Sequence, residues 1–179
     1  MQLVLTSELL IEAYKNGLFP MAYSGHSQYV HWVCPESRGQ LDIEKFHIPR
    51  SLKKDMRRKM RNGTYEITID QDFPAVMQLC AQEDASRPET WINDQIIKAF
   101  TQLHADGHAH SIEYRESGDL LGGLYGLKIG GAFMGESMFS RTAGASKIAL
   151  VHLAARLWKG GFSVLDTQFV NEHLLQFGA

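Results

Sequence analysis

The second half of the chain alternates apolar and polar residues with the period of a β-strand. Three successive strands are predicted, at His110–Arg115, Leu120–Lys128 and Gly131–Phe139. The next segment, Ser146–Lys159, has helical spacing that puts Trp158 on its inner side, and a last strand leads to Phe169. Three strands followed by a helix and a strand are typical of a mixed sheet with a helix across one face. This order predicts an α+β fold.

The first 40 residues predict a small unit of their own. A helix over Ser7–Asn16 begins at a hydroxyl residue and ends at Asn16-Gly17, both common signals for helix termini. Two short aromatic segments and a turn-rich stretch at residues 34–39 follow. We therefore predict a small N-terminal subdomain over residues 1–40 and a main domain over residues 41–179.

Strand-like and helical periods continue between these regions. Tyr65–Ile69 predicts a strand, and Phe73–Gln82 and Thr90–Ala105 predict amphipathic helices on either side of a polar loop at residues 84–89. Glycines occupy positions 122, 123 and 126 inside a predicted strand. Because glycine is unfavourable there, we expect another part of the molecule to approach this strand closely.

Composition excludes several classes of protein. The chain has 179 residues, of which 44% are hydrophobic and 21% charged, as in globular domains with a sizeable core. No window approaches the ~20 apolar residues of a membrane span, and the first residues do not resemble a signal peptide. Cys34 and Cys80 lie far apart, so neither a disulfide framework nor a zinc motif is indicated. We expect a cytoplasmic protein, with a monomer as the favoured state.

Positive charge is concentrated in one predicted helix. Residues 50–61 hold seven of the 18 Lys and Arg residues but one of the 20 acidic residues, although the whole chain has a net charge of −2. Helical spacing puts Leu52, Met56 and Met60 on an apolar side and six cations on one stripe. The six are Arg50, Lys53, Lys54, Arg57, Arg58 and Arg61. The stripe is either an ordinary solvated surface or a binding surface for a phosphate backbone. We favour the second, because like charges on one helix face repel each other and cost stability unless an anion binds there.

The clearest candidate for chemistry lies at the end of the last predicted strand. Asp166 and Gln168 stand two residues apart, so they are expected on one face, roughly 7 Å apart at their Cα atoms. Glu136 adds a carboxylate on a neighbouring strand. Polar groups on an apolar strand are costly to bury without partners or a task. A structural role is the alternative, with Asp166 and Gln168 as a bonded pair at a sheet edge and Glu136 bracing a loop.

Two other patterns indicate different functions. His104, His108 and His110 have a metal-like spacing, but the first lies in a predicted helix and the last in a predicted strand, so no metal site is expected. Residues 141–145 resemble the phosphate-binding loop of coenzyme A-dependent enzymes. The alternatives are thus an acetyl-CoA-dependent N-acetyltransferase, which leaves the basic helix unexplained, and a noncatalytic RNA-binding module, which leaves the carboxylates and the amide unexplained.

Several longer motifs support a more specific assignment. In chain order they are GLFP at Gly17–Pro20, HIPRS at His47–Ser51, TWIN at Thr90–Asn93, LHADGHAHSIE at Leu103–Glu113, GGLYG at Gly122–Gly126, GESMFSR at Gly135–Arg141, ASKIAL at Ala145–Leu150 and LDTQF at Leu165–Phe169. Together they resemble the leucyl/phenylalanyl-tRNA-protein transferase family over nearly the whole chain. Many motifs in the same order are far more specific than one short pattern.

This resemblance implies both a fold and a reaction. The fold would be the acetyltransferase-like (GNAT) mixed sheet flanked by helices, in which substrates meet where two parallel strands splay apart. The enzyme would move Leu, Phe or less often Met from aminoacyl-tRNA to the α-amino group of proteins with N-terminal Arg or Lys, marking them for degradation by the N-degron pathway. It implies no cofactor and no metal. The partners would be aminoacyl-tRNA and the acceptor protein, without a membrane.

The resemblance places Asp166 and Gln168 at the reaction centre. Asp166 would orient Gln168, whose amide oxygen would accept a hydrogen bond from the attacking amine. Glu136 offers a second carboxylate, and either one suits the guanidinium of an acceptor Arg. Trp91 supplies an aromatic plane for the terminal adenine. An apolar slot for the donor side chain would be lined by Phe133, Met138, Leu150 and Leu165.

The chain departs from the family pattern at two places. Family members often have Trp after the FP of the first motif, where this chain has Met21. The family pattern also continues beyond the position of Ala179. We therefore expect the main domain of this chain to lack a C-terminal extension.

Overall fold

The structure, a computed structural model, describes residues 4–83 and 88–179. The helices of this part are α1 (Ser7–Lys15), α2 (Arg50–Arg61), α3 (Phe73–Ala81), α4 (Asp94–Ala105), α5 (Ala145–Lys159) and α6 (Glu172–Leu175). Its strands are β1 (Phe19–Ala22), β2 (Val30–Val33), β3 (Gly39–Asp42), β4 (Glu66–Ile69), β5 (Ala109–Glu116), β6 (Asp119–Ile129), β7 (Ala132–Ser140) and β8 (Val164–Gln168). Residues 84–87 of the predicted polar loop lie outside the described residues.

Six strands form one mixed sheet in the order β3-β8-β7-β6-β5-β4. Neighbouring strands are antiparallel except β7 and β8, which are parallel. A parallel pair needs a long crossover connection, and α5 supplies it. β1 and β2 form a separate antiparallel pair. The predicted α+β fold, a mixed sheet flanked by helices, is confirmed.

Each face of the large sheet carries its own hydrophobic core. Helices α2, α5 and α6 pack on one face, and α1, α3 and α4 pack on the other. Leu124 and Tyr125 are neighbours on β6 but belong to different cores, as the period of two in a strand requires. α1 and β1 share the second core with α3 and α4, so the N-terminal segment packs directly against the sheet. A subdomain boundary near residue 40 stays a prediction.

Three details differ from the sequence-based expectation. Helix α4 begins at Asp94 rather than Thr90, because the Asn93 side chain caps it by accepting a hydrogen bond of 3.0 Å from the backbone N–H of Ile96. Trp158 is 67% exposed, since the neighbouring position on α5 turns inward instead. Met60 is 60% exposed and does not anchor α2. None of the helices in residues 4–83 and 88–179 has the length and apolar character that a membrane crossing needs.

The expected close approach at the β6 glycines is confirmed. A Cβ atom on Gly122 would lie 2.4 Å from the Cβ of Ala145, the first residue of α5. On Gly126 a Cβ would lie 2.2 Å from the carbonyl oxygen of Met134. Glycine therefore lets α5 begin directly against the sheet, next to the strands that form the candidate site.

Candidate active site

The parallel strands β7 and β8 separate after a short paired stretch. Their register covers only Ala132–Met134 on β7 and Val164–Asp166 on β8. Beyond it, β7 stays bonded to β6, and the end of β8 stays bonded to β3. A cavity of about 480 Å³ lies at this separation, and its wall comes from α3, β6, β7, α5, β8 and the segment around α6. The sheet thus opens at its only parallel pair among the described strands.

Glu136 lies in this wall because of an irregularity in β7. Gly135 pairs with Gly126, and Ser137 pairs with Tyr125, so Glu136 has no partner of its own in the register with β6. Such a β-bulge redirects a side chain that regular alternation would place elsewhere. The Glu136 side chain is turned into the gap between β7 and β8, where the residue is 8% exposed.

The two oxygens of the Glu136 carboxylate have different surroundings. Oε1 accepts a hydrogen bond of 2.7 Å from Nε2 of Gln168. Oε2 is buried, and the buried hydroxyl of Tyr14 lies close enough to the Glu136 carboxyl for each group to shift the pKa of the other. Burial raises the pKa of Glu136 to about 7, against the lowering effects of Tyr14, Gln168 and Arg38. Near neutral pH this group therefore exchanges a proton readily.

Asp166 is held by a residue that sequence reasoning missed. Nε of Arg38 donates to both carboxylate oxygens of Asp166, at 3.1 and 2.9 Å. The side chains are 18% and 6% exposed, so the ion pair is largely shielded from water. Arg38 stands 128 residues earlier in the chain, in the turn-rich segment before β3. Nothing in the sequence pattern marks it, because the antiparallel pairing of β3 with β8 brings the two residues together.

Gln168 adopts an unusual backbone conformation at the end of β8. Its φ of 61° lies in the left-handed region, which residues other than glycine seldom occupy. The register between β3 and β8 also shifts here, so that Thr167 has no partner of its own. The backbone N–H of Gln168 donates to Oδ1 of Asp166 at 2.9 Å. Asp166 therefore fixes Gln168 through its backbone, and the Gln168 side chain is directed to Glu136.

The structure brings most of the predicted site residues together. Met138, Leu150 and Leu165 line the cavity with Glu136. Asp166 and Gln168 are 4% and 5% exposed and do not themselves form its wall, although Thr167 between them does. Gln168 reaches the cavity through its hydrogen bond to Glu136. Of Glu136, Asp166 and Gln168, only Glu136 lines the cavity.

Two residues expected near the donor substrate lie elsewhere. Phe133 is 3% exposed and packs in the core against Gly126 instead of lining the cavity, because its position on β7 precedes the separation of the strands. Trp91 lies just before α4, and its carbonyl accepts a hydrogen bond of 2.9 Å from the N–H of Ala22 at the end of β1. Trp91 is partly buried and is not in the cavity wall of the described residues. A role in binding adenine stays a prediction for it.

The basic stripe on α2 faces solvent. All six of its cations are exposed, and Leu52 and Met56 anchor the helix to the core. Lys59, on a different side, turns inward and donates to Tyr114 and Glu116, both at 2.7 Å. This inward turn accounts for the exposure of Met60 next to it. Arg58 also bonds Asp55, one turn earlier.

The start of α2 is connected to the wall of the cavity. The N–H of His47, three residues before α2, donates to the carbonyl of Phe177 at 3.0 Å, and Phe46 stacks on Phe177 with ring centroids 5.4 Å apart. Phe177 follows α6, whose Leu174 lines the cavity. The segment before α2 is therefore packed against the C-terminal segment that carries Leu174 in the cavity wall.

The histidines of the metal-like spacing have other contacts. The His104 ring stacks on Phe73 at 4.3 Å, and its Nδ1 lies 2.9 Å from the carbonyl oxygen of Ala109. His110 Nδ1 lies 2.7 Å from Oδ2 of Asp70. These contacts tie α4 and the turn after β4 to β5. They give the two histidines structural roles.

Comparison with known proteins identifies one family over nearly the whole chain. The pattern described as "Leucyl/phenylalanyl-tRNA protein transferase" matches residues 40–179, and that of its N-terminal domain matches residues 4–36. A leucyl/phenylalanyl-tRNA–protein transferase of Paramagnetospirillum magneticum is 55% identical over 175 residues, which are 98% of this chain and 82% of that protein. The transferase of Maricaulis maris is 50% identical over 173 residues, with coverages of 97% and 78%.

Similarity to solved structures is more distant. L-PGS from Bacillus licheniformis superposes with a TM-score of 0.51 at 12% identity, over 90% of this chain and 53% of that one. A conserved protein of unknown function from Bacteroides thetaiotaomicron gives a TM-score of 0.51 at 11% identity, over 97% and 62%. This chain thus spans between half and two thirds of those chains. At such identities the likeness shows a shared fold alone.

Proposed function

Because the chain belongs to the leucyl/phenylalanyl-tRNA protein transferase family, we propose that it transfers Leu or Phe, and less often Met, from aminoacyl-tRNA to proteins that begin with Arg or Lys. The acceptor would be the α-amino group. The observation that carries the proposal is a largely buried carboxylate, that of Glu136, in the wall of the cavity. A carboxylate with a pKa of about 7 suits the removal of a proton from an amine.

The proposed reaction is the aminolysis of an ester. The amine nitrogen of the acceptor forms a bond to the carbonyl carbon of the aminoacyl ester, and the bond from that carbon to the ribose oxygen breaks. The proton leaves the amine as the tetrahedral intermediate forms, and it ends on the departing ribose oxygen. The ester is already activated, so positioning and one proton acceptor supply the chemistry. No metal, nucleotide or enzyme-bound nucleophile is required.

The side chains divide these tasks by their contacts. Asp166 is paired with Arg38 and is shielded, which favours a role in holding Gln168 over a role as base. Gln168 uses Nε2 to hold Glu136, which leaves its amide oxygen to accept from the incoming amine. Glu136 lines the cavity and has a pKa of about 7, so we assign it the proton of the attacking amine. Asp166 then contributes charge and orientation.

The cavity suits the side chain of the donor amino acid. Met138, Leu150 and Leu165 give it an apolar surface, and about 480 Å³ accommodates Leu or Phe with the ester that follows. Apolar contact discriminates poorly between side chains of similar size. This explains why one pocket would accept Leu, Phe and Met.

The tRNA would be held by α2. Its six exposed cations are spaced along one stripe and suit a phosphate backbone, and α2 begins close to the cavity wall. Aminoacyl-tRNA as donor implies a reaction in the cytoplasm. The separation of two parallel strands around the cavity supports the finer assignment of the sheet to the acetyltransferase-like superfamily.

A direct assay tests the proposal against the alternatives. The protein is incubated with labelled Leu-tRNA and a peptide that begins with Arg, and in parallel with labelled acetyl-CoA and the same peptide. We expect label on the peptide only from Leu-tRNA, and none on a matched peptide that begins with Glu. Label from acetyl-CoA alone would indicate an N-acetyltransferase. Binding of tRNA without any transfer would indicate an RNA-binding module.

Variants of the β8 pair test the assigned centre. Asp166→Ala and Gln168→Ala should each reduce transfer severely, to a residual rate that only a single-turnover assay measures. The tRNA affinity should stay nearly unchanged, because the side chains of the pair bond Arg38, the Gln168 backbone and Glu136 rather than α2. Filter binding measures the affinity and label transfer measures the rate. Equal loss of both would assign the pair a structural role.

A further inference from the structure

We propose that Arg38 is a positioning residue for the transfer reaction, which acts by holding Asp166 and, through it, the backbone of Gln168. The inference rests on the proposed function for its role in catalysis. It makes the segment before the large sheet part of the reaction centre. Arg38 touches neither the cavity nor, in the proposed reaction, the reacting atoms.

The guanidinium of Arg38 is fixed from three directions. Nε donates to both oxygens of Asp166, at 3.1 and 2.9 Å. Nη1 donates to the backbone carbonyl of Gly17 at 2.8 Å. The guanidinium carbon lies 5.0 Å from the centroid of the Phe19 ring, a cation–π contact. A planar group held by a carboxylate, a carbonyl and an aromatic face has a single orientation, and Asp166 takes its own orientation from it.

The conformation of Gln168 requires such support. A left-handed backbone is unfavourable for glutamine, so it persists only where the surroundings hold it. Asp166 holds it by accepting the Gln168 N–H at 2.9 Å. Gly39, which follows Arg38, pairs with Gln168 across the register and has no side chain to displace it. Residues 38 and 39 together therefore clamp the end of β8.

The fixed backbone of Gln168 determines the position of the side chain that holds Glu136. The Gln168 side chain starts from the fixed backbone and donates to Oε1 of Glu136 at 2.7 Å. Rotation of the Gln168 backbone out of the left-handed region would withdraw this donor from Glu136. A proton acceptor in a reaction of this kind must be held closely in place, and a small displacement lowers the rate strongly.

A direct contact of Arg38 with substrate fits the structure less well. Its side chain is 18% exposed, and its Nε hydrogen is taken by Asp166. The proposed acceptor carries a positive charge, which Arg38 would repel. We therefore assign its effect to Asp166 and Gln168.

The kinetic test uses Arg38→Ala, Arg38→Lys, Asp166→Ala and the double variant with alanine at both positions. Arg38→Ala should lower kcat about 100-fold, with tRNA affinity and KM within twofold of the wild type. Arg38→Lys keeps the charge and should recover part of the loss. The double variant should be no slower than Asp166→Ala alone, since both changes break one contact. Losses that multiply in the double variant would overturn the inference.

A pH profile separates positioning from general damage. The hydrogen bond from Gln168 lowers the pKa of Glu136, and the charge of Arg38 lowers it less; Tyr14 and Asp166 also face the group. If Arg38 holds Gln168 in place, its removal weakens that hydrogen bond as well. In Arg38→Ala the acidic limb of the rate profile should therefore move to higher pH, and Arg38→Lys should restore it. A lower fraction of folded enzyme would reduce the rate without moving the limb. An unmoved limb would overturn the inference.

Hydrogen exchange tests the same inference without catalysis. The Gln168 N–H should exchange at least tenfold faster in Arg38→Ala than in the wild type, whereas Arg156→Ala, at an exposed position of α5, should leave it unchanged. Equal exchange in Arg38→Ala and wild type would overturn the inference whatever the transfer assay gives. Faster exchange in a protein that never transfers Leu would refute the proposed function and, with it, the catalytic role of Arg38, but it would keep the conclusion that Arg38 holds the backbone of Gln168 through Asp166. If Arg38→Ala does not fold, Arg38→Lys takes its place in both measurements. A transfer rate and a protection of the Gln168 N–H equal to those of the wild type would then overturn the inference.

Discussion

Gln168 donates a hydrogen bond of 2.7 Å to Glu136 across the gap between β8 and β7, beyond their last paired residues Met134 and Asp166. One side-chain contact thus spans the sheet where its backbone bonding has ended. The position of the Glu136 carboxylate consequently depends on the end of β8. The same gap forms the cavity, so the opening of the sheet and the orientation of its central carboxylate share one cause.

Replacing Glu136 with Gln should change how stability depends on pH. The pKa of Glu136 is raised from 4.5 to about 7 in the folded protein. The contribution of this one group to the free energy of unfolding is therefore fully present below pH 4.5 and is lost as pH rises to about 7. Glu136→Gln has no such ionisation. We compare the free energies of unfolding of the variant and the wild type at each pH. The difference, variant minus wild type, should be about 1–3 kcal/mol larger at pH 8 than at pH 4. Urea unfolding at both pH values measures the difference, and a constant gap would show that Glu136 is not held neutral.

The same variant should alter the pH dependence of transfer. If Glu136 accepts the proton, the single-turnover rate of the wild type should rise with pH through about 7. Glu136→Gln should be slower and should lose this limb, and only the ionisation of the acceptor amine, near pH 8, would remain. A variant that keeps the wild-type limb near pH 7 would exclude Glu136 as the proton acceptor.

Charge reversal on α2 should weaken tRNA binding. Arg57→Glu with Arg58→Glu removes two exposed cations, so the slope of log affinity against log salt should fall in magnitude by about 2. Reversal of Lys98 and Lys128, exposed on other elements, is a control with the same change of net charge. Filter binding over a salt series measures both. Equal effects of the two pairs would mean that net charge, rather than α2, governs binding.

Shortening a residue of the cavity wall should change the use of donors. Met138→Ala removes apolar contact with the donor side chain, which costs about 1–2 kcal/mol and lowers kcat/KM for Leu-tRNA about tenfold. Met134→Ala is the matched control, because Met134 lies on the same strand outside the cavity wall. Rates with Leu-tRNA and Phe-tRNA measure the effect, which should be smaller for the larger Phe. The cavity is not the donor site if both alanine variants behave alike.

Adding a methyl group at Gly39 should displace the end of β8. A Cβ there would lie 2.7 Å from the backbone carbon of Phe169 and 2.8 Å from Oγ1 of Thr167, so backbone must shift. We expect Gly39→Ala to lose about 1–3 kcal/mol of stability and most of its transfer activity. Gly131→Ala, whose Cβ would meet only Ser163 Oγ at 3.9 Å, should be well tolerated. Thermal unfolding and transfer rates of both variants provide the comparison.

Local patterns predicted the elements of this fold well. The ends of β5, β6, β7 and α5 all lie within one residue of their predicted positions. Strand and helix periods are properties of neighbouring residues, so one sequence suffices for them. Trp158 and Met60 were predicted to be buried and are exposed. Helical spacing shows which residues share a face of a helix, but it does not show how much of that face the neighbouring elements cover.

By itself, the sequence determined the order of strands and helices, the basic stripe on α2, and the polar residues Glu136, Asp166 and Gln168 on two strands. Only the tertiary structure decided what those groups contact. It paired Asp166 with Arg38 from a segment 128 residues away, turned Glu136 into the cavity through a bulge, and set Gln168 in a left-handed conformation. Periodicity is local, whereas ion pairing, burial and proton affinity depend on which distant segments meet.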